Sequence, residues 1–250
     1  MIDPKLKGQV AIVTGSNSGI GAATAKAFAQ QGVAVVMTYL GPANDTKAAA
    51  VMTEVQSVGG QIMAFPIDLA DKNLIPALFD KAESTFGRVD ILVNNAAYSV
   101  NDDIYTIDAV HLERHYAVNV QAMVLACQEY VRRRGDQLGG RIINVSSGVV
   151  EGAPEELAYS ASKGAIETLT RGLAKALAPK QILVNAVSPG PTDTGWMTPP
   201  LRDELAQRTP LQRIGQPEDI AEVILFLASG QARWLTGQIL DAGGGWHMRF

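Results

Sequence analysis

Val10-Ala11-Ile12-Val13-Thr14-Gly15-Ser16-Asn17-Ser18-Gly19-Ile20-Gly21 is the stretch on which the fold turns. Its apolar start leaves no polar face, which suits a parallel strand buried on both sides, predicted over Val10–Thr14. Three glycines follow in the spacing G-x-x-x-G-x-G, and behind them a helix is predicted over Ile20–Gln31. Glycine lets the chain turn sharply out of a strand and come close to a pyrophosphate. The first turn of the helix then offers free N–H groups and a favourable dipole. The bare alternative is a tight strand-to-helix turn that holds no ligand.

Outward from this point the same alternation repeats. Further strands are predicted over Val33–Tyr39, Gln61–Pro66, Ile91–Asn94, Arg141–Ser146, Ile182–Val187 and Gln238–Asp241. Between them lie predicted helices Asp45–Val58, Asn73–Phe86, Asp108–Arg133, Tyr159–Ala178 and Pro217–Leu227. Strand–helix alternation over the whole chain implies an α/β fold. The expected form is a Rossmann-type, doubly wound, parallel seven-stranded sheet with helices on both faces. No Ser/Gly linker divides the 250 residues, so one domain spanning residues 1–250 is expected. The least regular region, rich in Pro and Thr, is a candidate substrate lid around 190–215.

A formal net charge of −4 argues against nucleic acid or anionic lipid as main partner, since both require a basic footprint. The one basic run, Arg132-Arg133-Arg134, reads as a solvated helix end complementing the dipole. A single cysteine, Cys127, cannot form an internal disulfide and reads as a small core residue. No run approaches the ~18 apolar residues of a membrane span, and Met1–Gly8 lacks the apolar core of a signal peptide. A cytoplasmic enzyme is expected.

At the end of the second strand, Met37-Thr38-Tyr39-Leu40-Gly41 offers neither a carboxylate for the 2′-hydroxyl of NAD nor an Arg or Lys for the 2′-phosphate of NADP. NADP is thereby permitted, and Lys47 stands further along; NADP(H) is expected over NAD(H). Asp68, followed by Leu69, comes just after the third strand. It is placed either to accept from an adenine amino group or to cap the next helical segment. Tyr159 and Lys163 are four residues apart, on one face of a predicted helix. A phenol titrates near 10, too high for proton transfer around neutrality, and a neighbouring ammonium stabilises the phenolate. The fifth strand delivers Ser146-Ser147 at its C-terminal end, where wound sheets bind ligands; either hydroxyl is able to polarise a substrate oxygen. Asn119 is a polar residue inside an apolar helical stretch and requires a partner, structural or part of a proton relay.

Taken together, the order and spacing of Thr14–Gly21, Asp68, Asn94–Ala97, Asn119, Ser147, Tyr159, Lys163, Pro189-Gly190 and Thr236-Gly237-Gln238 resemble the short-chain dehydrogenase/reductase family over essentially the full chain. The nearest-looking subgroup is the 3-oxoacyl-[acyl carrier protein] reductase type. The resemblance implies NAD(P)(H)-dependent interconversion of a ketone or aldehyde and an alcohol by a tetrad of Asn119, Ser147, Tyr159 and Lys163. Tyr159 would exchange the proton, Lys163 would lower its pKa and hold the nicotinamide ribose, Ser147 would bind the substrate oxygen, and Asn119 would support a water relay. The implied cofactor residues are Gly15, Ser16, Asn17, Ser18, Gly19, Ile20, Gly21, Tyr39, Asp68, Leu69, Asn95, Ala96, Tyr159, Lys163, Pro189, Gly190, Thr192 and Thr194. A homotetramer is implied through the helices Asp108–Arg133 and Tyr159–Ala178 and the last strand, with the apolar tail Trp246–Phe250 buried.

Three departures from the family pattern stand out. Ala97 replaces the usual glycine; the stretch from Ser147 to Tyr159 is one residue shorter than is common; and Ser18 stands where NADP-type members carry a basic residue. His111 and His115 stand at helical spacing but lack a third convergent ligand, since Glu113 between them points to another face, so no metal is expected. Trp196 and Met197 either line the substrate pocket or anchor the lid. The alternatives to a carbonyl reductase are a cofactor-binding sensor without turnover and an epimerase or dehydratase on the same fold.

Overall fold

A computed structural model describes residues 3–248. The opening stretch forms β1 (Val10–Val13), with all four side chains buried, and α1 (Gly19–Gln30). There follow β2 (Ala34–Tyr39), α2 (Thr46–Ser57), β3 (Ile62–Pro66), α3 (Ile75–Phe86) and β4 (Ile91–Asn94). The second half runs α4 (Ala109–His115), α5 (Ala122–Arg134), β5 (Gly140–Val145), α6 (Leu157–Leu177), β6 (Ile182–Pro189), α7 (Pro199–Arg208), α8 (Pro217–Ala228) and β7 (Ile239–Ala242).

All six strand pairings are parallel, in the order β3-β2-β1-β4-β5-β6-β7. The alternation of side chains along each strand builds two cores. Ala11, Val13, Val35, Met37, Ile91, Val93, Ile143 and Val145 meet α1 and α8 through Phe28, Ile220, Ile224 and Leu227 on one face. Val10, Ile12, Val36, Leu92, Ile142, Ile182 and Val184 meet α3, α5 and α6 through Leu78, Phe79, Met123, Tyr130 and Ile166 on the other. Burial on both faces explains why the strands read as continuous apolar runs rather than alternating ones. The strand order reverses between β1 and β4. The crevice at the C-terminal ends of these strands is where open α/β sheets bind ligands.

The structure corrects four local expectations. The helix expected over Asp108–Arg133 is interrupted: α4 and α5 flank a π-helical turn, Tyr116–Gln121, with Asn119 buried in it. The region 190–215 is not irregular throughout, because Pro199 and Pro200 open α7, the one helical position where proline's missing N–H is harmless. Helix α6 begins at Leu157, two residues before Tyr159. Of the basic run, only Arg132 is solvated. Arg133 is held by Asp80, Glu83 and Glu129, and the buried Arg134 donates to the Val89 carbonyl at 2.9 Å. Cys127 is a core residue, its thiol pushed up to about 12 by burial. Of the expected buried tail, Trp246 and His247 are partly buried and Met248 is exposed, while Arg249 and Phe250 lie outside the described residues.

Candidate active site

The glycine turn is held open by β4. The Thr14 hydroxyl accepts from the Asn95 and Ala96 N–H groups at 2.9 and 3.0 Å, and Asn95 Nδ2 donates to the Thr14 and Gly15 carbonyls at 2.8 and 2.9 Å. Gly15 has φ +63, and a Cβ there would sit 2.8 Å from Ala96 Cα. A Cβ on Gly21 would collide with the Gly15 carbonyl oxygen and lie 2.6 Å from Asn95 Nδ2. No side chain caps the first turn of α1. The N-terminus therefore keeps its dipole and its donors for an anion. Thr194 packs against Gly19, bringing the 190s segment to the glycine turn. Gly190 backs onto Gly243, and the Thr192 hydroxyl donates to the Gly190 carbonyl at 2.9 Å. Pro189 ends β6. These features fit a dinucleotide lying across the crevice.

Several expected contacts are used inside the protein. Ser16 is fully buried, its hydroxyl donating to the Val13 carbonyl at 2.8 Å. Tyr39 is also buried and turns its hydroxyl onto the Pro42 carbonyl at 3.2 Å, so its side chain closes its own turn instead of facing a ligand. Asn17 donates to Asp45 at 3.4 Å, and Asp45 caps α2. Asp68 accepts two hydrogen bonds from one Arg114 nitrogen, at 3.0 and 2.9 Å, and one from the Ala70 N–H. Burial opposes ionisation of Asp68, but these donors hold its carboxyl below the ordinary value. Asp68 and Arg114 line an open groove of about 540 Å³ that Tyr159 does not border. Leu69 packs on the core beside it.

Ser147, Tyr159 and Lys163 converge at the end of β5. The Ser147 hydroxyl lies near enough to the Tyr159 phenol to favour its ionised form. Lys163 is buried, its Nζ 5.5 Å from the Tyr159 ring centroid and donating to the Val145 carbonyl at 2.7 Å. Ser146 points elsewhere and donates to Glu167 at 3.0 Å. Burial pushes the Tyr159 phenol up to about 12, the nearby Glu156 charge adds to this, and only the Ser147 hydroxyl opposes it. Burial drives the Lys163 ammonium down to about 7. The sequence led us to expect the opposite direction for the phenol. The reason for the difference is desolvation, which disfavours charge on both groups at once.

Asn119 ties the π-helical turn to the loop after β4: it accepts from the Tyr98 N–H at 2.7 Å and donates to the Tyr98 carbonyl and the Ser162 hydroxyl, each at 2.9 Å. Ser162 adjoins Lys163, so Asn119 reaches the helix of the tyrosine but makes no direct bond to the lysine. A π-helical turn frequently marks a functional site. His111 and His115 are not drawn together on a metal; no metal-binding cluster occurs among the described residues. His115 is packed edge-on against Tyr98 at 4.9 Å and lies 6.3 Å from the Tyr159 ring. Trp196 is exposed and Met197 buried. The sequence reading missed Arg114, Ser162 and Glu156, and gave Thr14 only as the start of the glycine motif. Glu156 did carry a signal: it sits three residues before Tyr159, within one helical turn.

A family model described as enoyl-(acyl carrier protein) reductase matches residues 15–247. The chain belongs to the short-chain dehydrogenase/reductase family. It is 42% identical over 243 residues to an uncharacterized oxidoreductase of Bacillus subtilis (strain 168), covering 95% of this chain and 96% of the relative. It is 35% identical over 246 residues to the 3-oxoacyl-[acyl-carrier-protein] reductase of Thermotoga maritima, covering 96% and 98%. The solved structure of an angucycline C-6 ketoreductase with bound NADP superimposes with a TM-score of 0.89 at 33% identity, over 97% of this chain and 96% of that one. As a member of the short-chain dehydrogenase/reductase family, the chain is an oxidoreductase that uses a nicotinamide cofactor and interconverts carbonyl and alcohol groups. Among the described residues, no helix is long and apolar enough to cross a membrane.

Proposed function

We propose that this protein is a ketone reductase of the 3-oxoacyl-reductase type that works with NADP(H) in preference to NAD(H). The observation that carries the reading is the convergence of Ser147, Tyr159 and Lys163 at the end of β5. The bound nicotinamide supplies or takes up the hydride. Ser147 holds the substrate oxygen. Tyr159 gives that oxygen its proton in reduction and takes it back in oxidation. Lys163, fixed by the Val145 carbonyl, orients the cofactor ribose and adds positive charge where phenolate develops. Asn119 anchors the π-helical turn beside Ser162 and supports a water relay to Lys163.

On the cofactor side, Gly15, Asn17, Ser18, Gly19, Ile20 and Gly21 cradle the pyrophosphate, with Ser16 and Tyr39 contributing backbone only. Asn95 and Ala96 flank the adenosine, and Asp68 with Leu69 borders the adenine. Pro189, Gly190, Thr192 and Thr194 meet the carboxamide of nicotinamide. The 2′-phosphate preference rests on the lack of a carboxylate at the end of β2. The segment 190–215, including α7, acts as the lid. The protein works in the cytoplasm as a homotetramer, its association supported by the exposed apolar side chains of Ile104, Val110 and Trp234, at 71%, 73% and 95%.

The test is to follow oxidation of NADPH and of NADH by the purified protein against a broad panel of ketones. Turnover with at least one ketone, faster with NADPH, is expected. Cofactor binding without turnover on any ketone would favour a sensor, and a clear NADH preference would overturn the reading of β2.

A further inference from the structure

After β7 the chain folds back over the sheet in two successive turns. The Trp246 N–H donates to the Gly243 carbonyl at 3.0 Å, and the Met248 N–H to the Gly245 carbonyl at 2.9 Å. These turns carry His247 to the segment that follows β5. A Cβ on Gly148 would lie 2.5 Å from His247 Cε1 and 3.3 Å from each ring nitrogen. A Cβ on Gly243 would lie 3.2 Å from His247 Cδ2, so two glycines make room for the imidazole. The His247 side chain is only 12% exposed.

Polar contacts do not account for this placement. His247 Nε2 is buried and has no hydrogen-bond partner among the described residues, and Asp241 Oδ1, at 3.8 Å, is too far to accept from it. A buried, unpaired ring nitrogen is unfavourable. The imidazole is therefore held by packing, and what it contributes is bulk behind Gly148. Gly148 follows Ser147 and opens the 3₁₀ turn Gly148–Glu151. Ser147 caps that turn, its hydroxyl accepting from the Val149 N–H at 3.5 Å. The direction of the Ser147 hydroxyl thus depends on where the turn sits, and the turn rests on the imidazole. The tail is anchored on its other side as well. A Cβ on Gly190 would lie 3.1 Å from Trp246 Cβ, and the Arg208 guanidinium, at the end of α7, stands 5.1 Å over the Trp246 ring.

We propose that His247 is a positioning residue for Ser147: its ring, fixed by the turns after β7, backs Gly148 and so sets where the Ser147 hydroxyl meets the substrate oxygen. This rests on the ketone-reductase reading above and adds the support behind one of its residues. Packing of this kind matters because a reacting group misplaced by about 1 Å loses about 10²-fold in rate.

A double-mutant cycle between His247→Ala and Gly148→Ala tests it, read with NADPH and the best ketone of the panel. His247→Ala removes the backing and is expected to lower kcat at least about tenfold, while KM for NADPH stays within about twofold of wild type. Gly148→Ala drives a methyl group into the ring and is expected to lower kcat by about the same factor. In the double variant that methyl takes up space the imidazole has left, and kcat is expected to return to within about threefold of wild type. Losses that multiply in the double variant, or wild-type kcat in His247→Ala, overturn the proposal and leave the ketone-reductase reading standing. Loss of NADPH binding or of the folded state in His247→Ala overturns it too, because the tail then holds the fold rather than the serine. Bound NADPH with no turnover of any ketone by the wild-type protein overturns the reading and the proposal together.

Discussion

Lys163 holds its ammonium 5.5 Å from the centre of the Tyr159 ring while donating a 2.7 Å hydrogen bond to the Val145 carbonyl. The lysine is thereby fixed by the sheet rather than by the tyrosine, and both groups pay in desolvation for standing together. Tyr159→Phe is expected to lower kcat by about 10²-fold or more, the scale of lost acid–base catalysis, with cofactor affinity retained. Steady-state kinetics alongside NADPH titration check this; full activity in the variant would remove the tyrosine from the mechanism.

Lys163 also gives a pH signature. Its folded pKa is lowered to about 7 from 10.5, so between these values the unfolded chain binds the extra proton. Stability contributed by this site therefore rises with pH across that window, and the penalty of burying the charge is fully present below pH 7. The difference in Tm between Lys163→Met and the cofactor-free wild type is expected to be largest in favour of the variant below that pH, and to shrink above it. A difference independent of pH would mean that the ammonium is not desolvated.

The two serines after β5 separate cleanly. Ser147→Ala removes the hydroxyl that favours the Tyr159 phenolate and is expected to lower kcat by about 10²-fold, as for loss of one oxyanion donor. Ser146→Ala removes the donor to Glu167 instead, and is expected to lower stability by about 1–3 kcal/mol with little effect on turnover. Paired kinetics and thermal melts decide between them; the reverse pattern would exchange their roles.

Gly21 faces the Gly15 carbonyl and Asn95 Nδ2, where no Cβ fits. Gly21→Ala is expected to weaken NADPH binding by at least about tenfold and to lower stability by about 1–3 kcal/mol, because it displaces the Asn95 side chain that holds the turn. Fluorescence titration of NADPH is the check. Unaltered affinity would show that the turn does not hold the pyrophosphate.

The sequence alone determined the layered sheet. Apolar runs at Val10, Ile91 and Ile182, separated by amphipathic segments, are short-range patterns, and burial on both faces follows from them directly. It also supplied the tyrosine and lysine at helical spacing and the glycine turn, because those depend on local backbone geometry. What only the tertiary structure decided is which side chains remain available at the crevice. Arg114 reaches Asp68 across 46 residues, Asn119 reaches Tyr98 across 21 and Ser162 across 43, and Asp102 lies under the start of α6, 56 residues away from Ala158. The direction in which the Tyr159 phenol moves belongs to the same class. It is set chiefly by desolvation, which exists only once distant segments have closed around it, and the neighbouring Glu156 charge adds to it.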